Sequence, residues 1–287
     1  MGTLVSIHVV PGEADSAALE AAVDRAFRWF HVIETCCTRF DARSELRQLC
    51  AHAGRAVQVS PMLFEAVRFA VLVAEETDGA FDPTVGHRME ERGFNREYHT
   101  GQILSAPVSQ DAGATFRDVE LDPAGHTITL RRALMLDLGA VAKGLAVDTA
   151  AKELEPFVNF AIDAGGDLYL GGANEHGMPW SVGVRHPRRD RELIDWLRVS
   201  NQAVCTSGDY EKDAPHILDP RNGAAAASVA SATVVAPGAL LADALATAAF
   251  VLGPAEGIRL LERMGVQGLM ITPSLERFET EGLCHAA

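Results

Sequence analysis

Two oxygen ligands stand one helical turn apart in Ala242-Asp243-Ala244-Leu245-Ala246-Thr247. At i and i+4, the Asp243 carboxylate and the Thr247 hydroxyl share one face of a segment that is otherwise apolar as far as Leu252. An ionised carboxylate on a helix buried on most sides is costly unless it is paired or binds a metal. One carboxylate and one hydroxyl suit a hard cation such as Mg2+, with phosphate oxygens completing its shell. The same residues also fit a plainer arrangement, in which Asp243 caps the helix and Thr247 bonds back to a carbonyl.

Asp137 and Lys143 frame a second candidate. Leu136-Asp137-Leu138-Gly139-Ala140-Val141-Ala142-Lys143-Gly144 reads as a glycine-containing loop running into a helix. Backbone N–H groups and the dipole at such a start favour an anion, and Lys143 adds a charge. The chain has only three lysines against 22 arginines, which singles each lysine out. The GxxxxGK[ST] spacing of a P-loop is absent, and an ordinary loop–helix junction with a solvated lysine fits equally well. Ala80-Phe81-Asp82 and Ser207-Gly208-Asp209 are turns with backbone donors and a carboxylate, suited to ribose or adenine groups but also common in plain loops. Gly165-Gly166 permits close backbone approach, yet no GxGxxG fingerprint is present. His216 leads into Ile217-Leu218-Asp219-Pro220, and a lone histidine in that setting is as well explained by structure as by chemistry. There is no GxSxG elbow and no HExxH.

The elements that must hold these residues follow from periodicity. Residues 3–10 alternate as a strand, and Ser16 is placed as the N-cap of a helix reaching about Cys37. A short helix starts at Ser44, and Val57 and Val59 mark a short strand. Ser60-Pro61 opens a helix to about Thr77 with proline at its first position. Residues 87–112 read as irregular. Short strands follow near Val119–Leu121 and Thr127–Leu130, then a helix ending near Leu154. Beyond it come strands at Phe160–Leu170 (carrying the glycine pair), Trp180–Val184 and Leu197–Val199; Ala203–Thr206 approaches the Ser207-Gly208-Asp209 turn, and Ser231–Val235 is a strand followed by an apolar helix over Ala242–Leu252. Strands and helices mix without regular βαβ alternation, so the expected class is α+β rather than a doubly wound parallel sheet.

Composition narrows the partners. The chain has 287 residues, 48% hydrophobic and 22% charged, which excludes disordered and fibrous classes. Its formal charge of −14 repels phosphate backbones and anionic lipid, so nucleic acid is not an expected partner. An anionic ligand then needs a local counter-charge. Five cysteines, odd in number and without a CxxC pair, predict neither a disulfide framework nor a zinc site. No stretch is long and apolar enough to span a membrane, since Ala236–Leu252 is broken by Pro237, Gly238 and Asp243. Without a basic and apolar leader, the expected location is cytoplasmic, a removed export or lipoprotein leader apart.

Taken in order, the segments resemble the ApbE-like flavin transferase family, the FAD:protein FMN transferases. The matching pieces are Met1-Gly2-Thr3, Thr38-Arg39-Phe40 with Ser44-Glu45-Leu46, Thr77 to Thr84, Leu136 to Gly144, Gly165-Gly166-Asp167, Thr206 to Tyr210, His216 to Gly223, and Ala242 to Thr247. The resemblance implies one ApbE-like domain over 1–287, with mixed sheets, packed helices and an FAD cleft between two sub-lobes. It further implies Mg2+-dependent transfer of FMN from FAD to a Ser or Thr hydroxyl of an acceptor protein, with release of AMP. FAD pyrophosphate hydrolysis and simple flavin binding are the alternatives. By the same resemblance Asp243, Thr247 and the Ala140 carbonyl ligate the metal. Met1, Phe40, Ala80, Phe81, Asp82, Asp137, Lys143, Ser207, Gly208 and Asp209 line the nucleotide site. His216 sits near the reacting phosphate as a candidate base, with Lys143 supplying charge. The chain departs from the family pattern in having only Glu211 to Pro215 between the Ser-Gly-Asp-Tyr turn and the histidine.

Overall fold

The computed structural model describes residues 2–12, 15–97, 100–104, 111, 113–210 and 216–286. Met1 and the 211–215 segment, both singled out in the sequence, lie outside the described residues. The chain divides into two compact units. The first comprises residues 1–2, 31–142 and 219–224; the second comprises 3–30, 143–218 and 225–287.

The first unit is built around a three-stranded antiparallel sheet of β2 (Ala56–Gln58), β4 (Thr127–Leu130) and β3 (Val119–Asp122), in that order. Beside it lie α2 (Glu45–Cys50), α3 (Pro61–Glu76) and α4 (Gly86–Glu91). Ser44 and Ser60 cap α2 and α3 as their sequence positions predict, accepting from Arg47 N–H at 3.1 Å and Leu63 N–H at 3.2 Å. Glu45 joins the two caps by accepting from the Ser60 backbone and hydroxyl at 2.5 and 2.6 Å. Leu46, Leu49, Leu63, Phe64, Ile128 and Leu130 form the buried interior. The irregular reading of 87–112 is corrected by α4. Gly86 permits that helix, because a Cβ there would meet the Met135 carbonyl oxygen at 2.7 Å.

The second unit carries a seven-stranded sheet. Its strands are β1 (Val5–Val9), β5 (Phe160–Ala164), β6 (Asp167–Gly171), β9 (Gln202–Gly208), β10 (Ser231–Ala236), β11 (Gln267–Ile271) and β12 (Arg277–Glu279), in that spatial order. Every ladder is antiparallel, as are those of the small sheet, so the α+β class holds while the sheets are not mixed in direction. The single strand expected over Phe160–Leu170 is a hairpin. Gly165 and Gly166 form its two-residue turn at φ +67° and +96°, a conformation that side chains with a Cβ rarely adopt. A separate hairpin, β7 (Trp180–Arg185) with β8 (Leu193–Val199), contributes Val184, Leu197 and Val199 to a cluster with Leu170, Val204, Val235, Leu269 and Ile271. Every residue of β10 is buried, the polar Ser231 and Thr233 among them.

Helix α1 (Ser16–Cys37) is capped by Asp15 rather than Ser16, with the Ala17 N–H donating to the Asp15 carboxylate at 3.2 Å. The chain past Leu252, left without elements in the sequence reading, forms α7 (Pro254–Arg263), β11 and β12. A usable signal was present: Gly253 at φ +85° ends α6 (Ala239–Leu252), and Pro254 opens the next helix. Among the described residues no helix is long and apolar enough to cross a membrane.

Candidate active site

Helix α5 (Gly139–Leu154), strand β6 and helix α6 bring three charges of the second unit together. Lys143 Nζ forms a very close pair with Asp167 Oδ2 and lies 3.4 Å from Asp243 Oδ2. Asp167 is 2% and Asp243 5% exposed. Two buried carboxylates thus share one ammonium, and the cluster retains a net negative charge.

The local structure explains this convergence. Gly144, next to Lys143, has no side chain to hold α5 off α6; a Cβ there would stand 2.6 Å from Leu240 Cα and closer still to the Ala239 carbonyl. Asp148, one turn further along α5, accepts the Ala239 and Leu240 N–H groups at 2.6 and 2.9 Å. It supplies from another helix the cap that α6 lacks, since Gly238 has no side chain to accept the first N–H groups. Burial raises the Asp148 carboxyl above its ordinary value, against the lowering effect of those two N–H groups. Asp243 lies well inside α6 and therefore caps nothing. Thr247, one turn on, exchanges a hydrogen bond with Ser207 Oγ at 3.1 Å. Cys205 is fully buried on β9, and burial together with the Asp243 charge drives its thiol well above the usual range.

The donor set of this cluster is made of oxygen. Among the described residues no three His, Cys, Asp or Glu side chains stand close enough to hold a metal by themselves. A hard cation here would take one or two carboxylates and complete its shell from hydroxyl, carbonyl and ligand oxygens, which is the habit of Mg2+. The residues present fit such an ion. Ala140, in the first unit, has dihedrals (φ −94°, ψ 22°) that break the helical run of α5.

Two further predicted turns are occupied differently. Ser207 and Gly208, expected in a turn, are the last residues of β9, and the Asp209 carboxylate just past them is held by a bidentate pair with Arg188, both bonds 2.7 Å. His216 opens a short hairpin in which Leu218 bridges Ala225 and the Ala226 N–H donates to the Ile217 carbonyl at 3.0 Å. Asp219 is engaged by Arg221 at 2.8 Å and by Asn222 at 2.9 Å. Those contacts give Asp219 a role in its own turn, and the Arg221 guanidinium lowers its carboxyl.

The first unit gathers the other predicted residues. Asp137 Oδ2 accepts from Arg39 Nε at 2.7 Å, and its Oδ1 accepts the Gly139 N–H at 2.7 Å. The Arg39 guanidinium lies 4.1 Å over the Phe40 ring, and its buried Nη1 has no hydrogen-bond partner among the described residues. Ala80 and Phe81 are buried, and the Phe81 N–H donates to Thr77 Oγ1 at 3.1 Å. Asp82 accepts from the Thr84 N–H and hydroxyl and from the Phe116 N–H at 2.8, 2.7 and 3.2 Å. Burial raises the Asp82 carboxyl despite those donors. A cavity of about 180 Å³ opens beside it, bounded by Arg88, Thr115 and Arg221. Arg88 and Arg92 of α4 hold the 219–223 turn through the Pro220 and Gly223 carbonyls, each at 2.5 Å.

Asp167, Asp148 and Arg188 are the residues that reading the sequence did not place in a site. Asp167 had one signal, its position directly after a glycine pair; the other two had none, since their partners lie at least 21 residues away.

The fold is shared with solved structures of ApbE proteins. The ApbE protein of Thermotoga maritima superposes with a TM-score of 0.83 at 29% identity, covering 97% of this chain and 96% of that one. The flavin transferase ApbE from Vibrio cholerae gives 0.82 at 27% identity, covering 98% and 94%. The ApbE family model matches residues 1–270, and the chain belongs to the ApbE family. The FAD:protein FMN transferase of Vibrio cholerae is 30% identical over 97% of this chain and 87% of its own length. That of Escherichia coli K12 is 30% identical over 77% and 68%.

Proposed function

We propose that this chain is an FAD:protein FMN transferase that moves FMN from FAD to a Ser or Thr hydroxyl of an acceptor protein, with Mg2+ bound and AMP released. The observation that carries the reading is the buried Asp167–Lys143–Asp243 cluster beside the Ser207–Thr247 hydroxyl pair, on a chain of the ApbE family. Asp243, Thr247 and the Ala140 carbonyl would hold the metal, which supplies Lewis-acid charge neutralisation at the pyrophosphate. Lys143 presents ammonium donors to phosphate oxygens. Phe40, Ala80, Phe81, Asp82 and Asp137, with Met1, line the nucleotide site. With its carboxylate taken by Arg188, Asp209 lies just past the end of β9, which presents Ser207 and Gly208. His216 accepts the proton of the acceptor hydroxyl as its oxygen bonds to the FMN-side phosphorus. The anhydride P–O bond breaks and AMP carries away the electron pair.

Support comes from charge. A protein of formal charge −14 must bring a local cation to a diphosphate, and this is the place where buried carboxylates are left under-compensated. The test is incubation of the protein with FAD, Mg2+ and an acceptor protein. In-gel flavin fluorescence on the acceptor is expected. Free FMN and AMP without it would replace transfer by hydrolysis, and intact FAD would reduce the protein to a flavin binder.

A further inference from the structure

The charge cluster is asymmetric, and the asymmetry has a use. Lys143 Nζ pairs with Asp167 Oδ2 and stands farther, at 3.4 Å, from Asp243 Oδ2. Among the described residues that ammonium is the only polar partner of the Asp243 carboxylate. Three separate constraints hold the arrangement. Asp167 is the first residue of β6, fixed by the two-glycine turn. Asp243 sits in the middle of α6, and the Lys143 stem is fixed by the close approach of α5 to α6 at Gly144.

We propose that Asp167 is a positioning residue that holds the Lys143 ammonium away from Asp243 and so leaves that carboxylate to a divalent cation. This rests on the metal-binding part of the function proposed above. Between buried groups the Coulomb energy is large and weakly screened, so the location of one ammonium decides which carboxylate remains in need of a cation. With Asp167 present, the lysine is neutralised in place and repels an incoming metal less. Without Asp167, the same ammonium would close on Asp243 and compete for it. Without the lysine, two bare carboxylates would face the metal together.

These cases predict opposite signs, which a merely structural role would not produce. The probe is Mn2+, titrated into the full chain without FAD and followed by the EPR signal of the free ion. Lys143→Met is expected to tighten binding by about tenfold or more, and Asp167→Asn to weaken it by about tenfold or more. The double variant, which removes both members of the neutral pair, returns to within about threefold of the wild type. Asp167→Glu, which keeps the carboxylate, restores most of the loss. Unchanged affinity in Asp167→Asn, weaker binding in Lys143→Met, or a wild type that takes up no Mn2+ at millimolar concentration would overturn the proposal. If Asp167→Asn does not fold, the direction of the Lys143→Met change decides alone. Flavin transfer by the wild type is read separately. Transfer with a failed cycle rejects only the positioning role; the expected cycle without transfer rejects only the transferase reading.

Discussion

The two units treat buried charge in opposite ways. In the first, each charge has its match: Arg39 with Asp137, Arg47 with Glu90 at 3.3 Å, and Asp82 with three donors. In the second, two buried carboxylates share one lysine. A matched pair contributes position but has little left to offer a ligand, because its field is largely cancelled locally. An under-matched cluster keeps a potential that draws in a cation. The comparison teaches that the balance of charges and donors around a buried acid separates those already satisfied by the fold from those left open to a cation.

The strongest way to break this comparison is Asp243→Ala. If Asp243 serves a ligand, flavin transfer falls by about 10³-fold or more at saturating FAD, as when charge stabilisation at a transferred phosphoryl group is lost. The melting temperature should hold or rise, since an under-compensated buried charge is removed. Full activity at limiting Mg2+ would move Asp243 to the structural class.

His216→Ala tests the proposed general base. Turnover is expected to fall by about 10²- to 10⁴-fold with FAD affinity little changed, as for loss of a general base. A changed affinity at constant turnover would assign His216 to nucleotide binding instead.

In the first unit the expected effect is on stability. Asp137→Ala strands the Arg39 guanidinium, which is 5% exposed, and should cost about 3–5 kcal/mol by urea denaturation without FAD. Arg39→Met should cost less, because Asp137 keeps some solvent and the Gly139 N–H. Equal costs for the two variants would contradict the matched-pair reading.

The smallest effect is expected from Asp148, which joins α5 to the start of α6. Asp148→Ala removes two N–H acceptors at the start of α6 and should cost about 1–2 kcal/mol. The pH dependence carries the opposite sign to that of a salt bridge. Because burial raises the folded carboxyl above its ordinary 3.8, the folded state holds the proton more firmly than the unfolded chain. Its contribution to stability therefore declines as pH rises from the ordinary carboxylate value through the raised one. Stability of the wild type measured relative to Asp148→Asn should fall across that window, and a rise would show that the two N–H groups outweigh burial.

Much of this molecule is written in short stretches of sequence. The Ser44 and Ser60 caps, the proline start of α3 and the shared face of Asp243 and Thr247 each depend on residues within about one turn of one another. Backbone geometry fixes what such neighbours can do, so sequence alone determined them. The resemblance to the flavin transferases was legible for the same reason, as runs of neighbouring residues in a fixed order. Tertiary structure decided which acid meets which base. Lys143 reaches Asp167 across 24 residues and Asp243 across 100, and Asp148 caps a helix 91 residues away. Asp209 lost its carboxylate to Arg188 on a turn 21 residues earlier. No periodicity encodes those pairings. They arise from the order of strands in the sheet and from how closely α5 can approach α6, and the charge left over after all of them are made is a property of the folded chain alone.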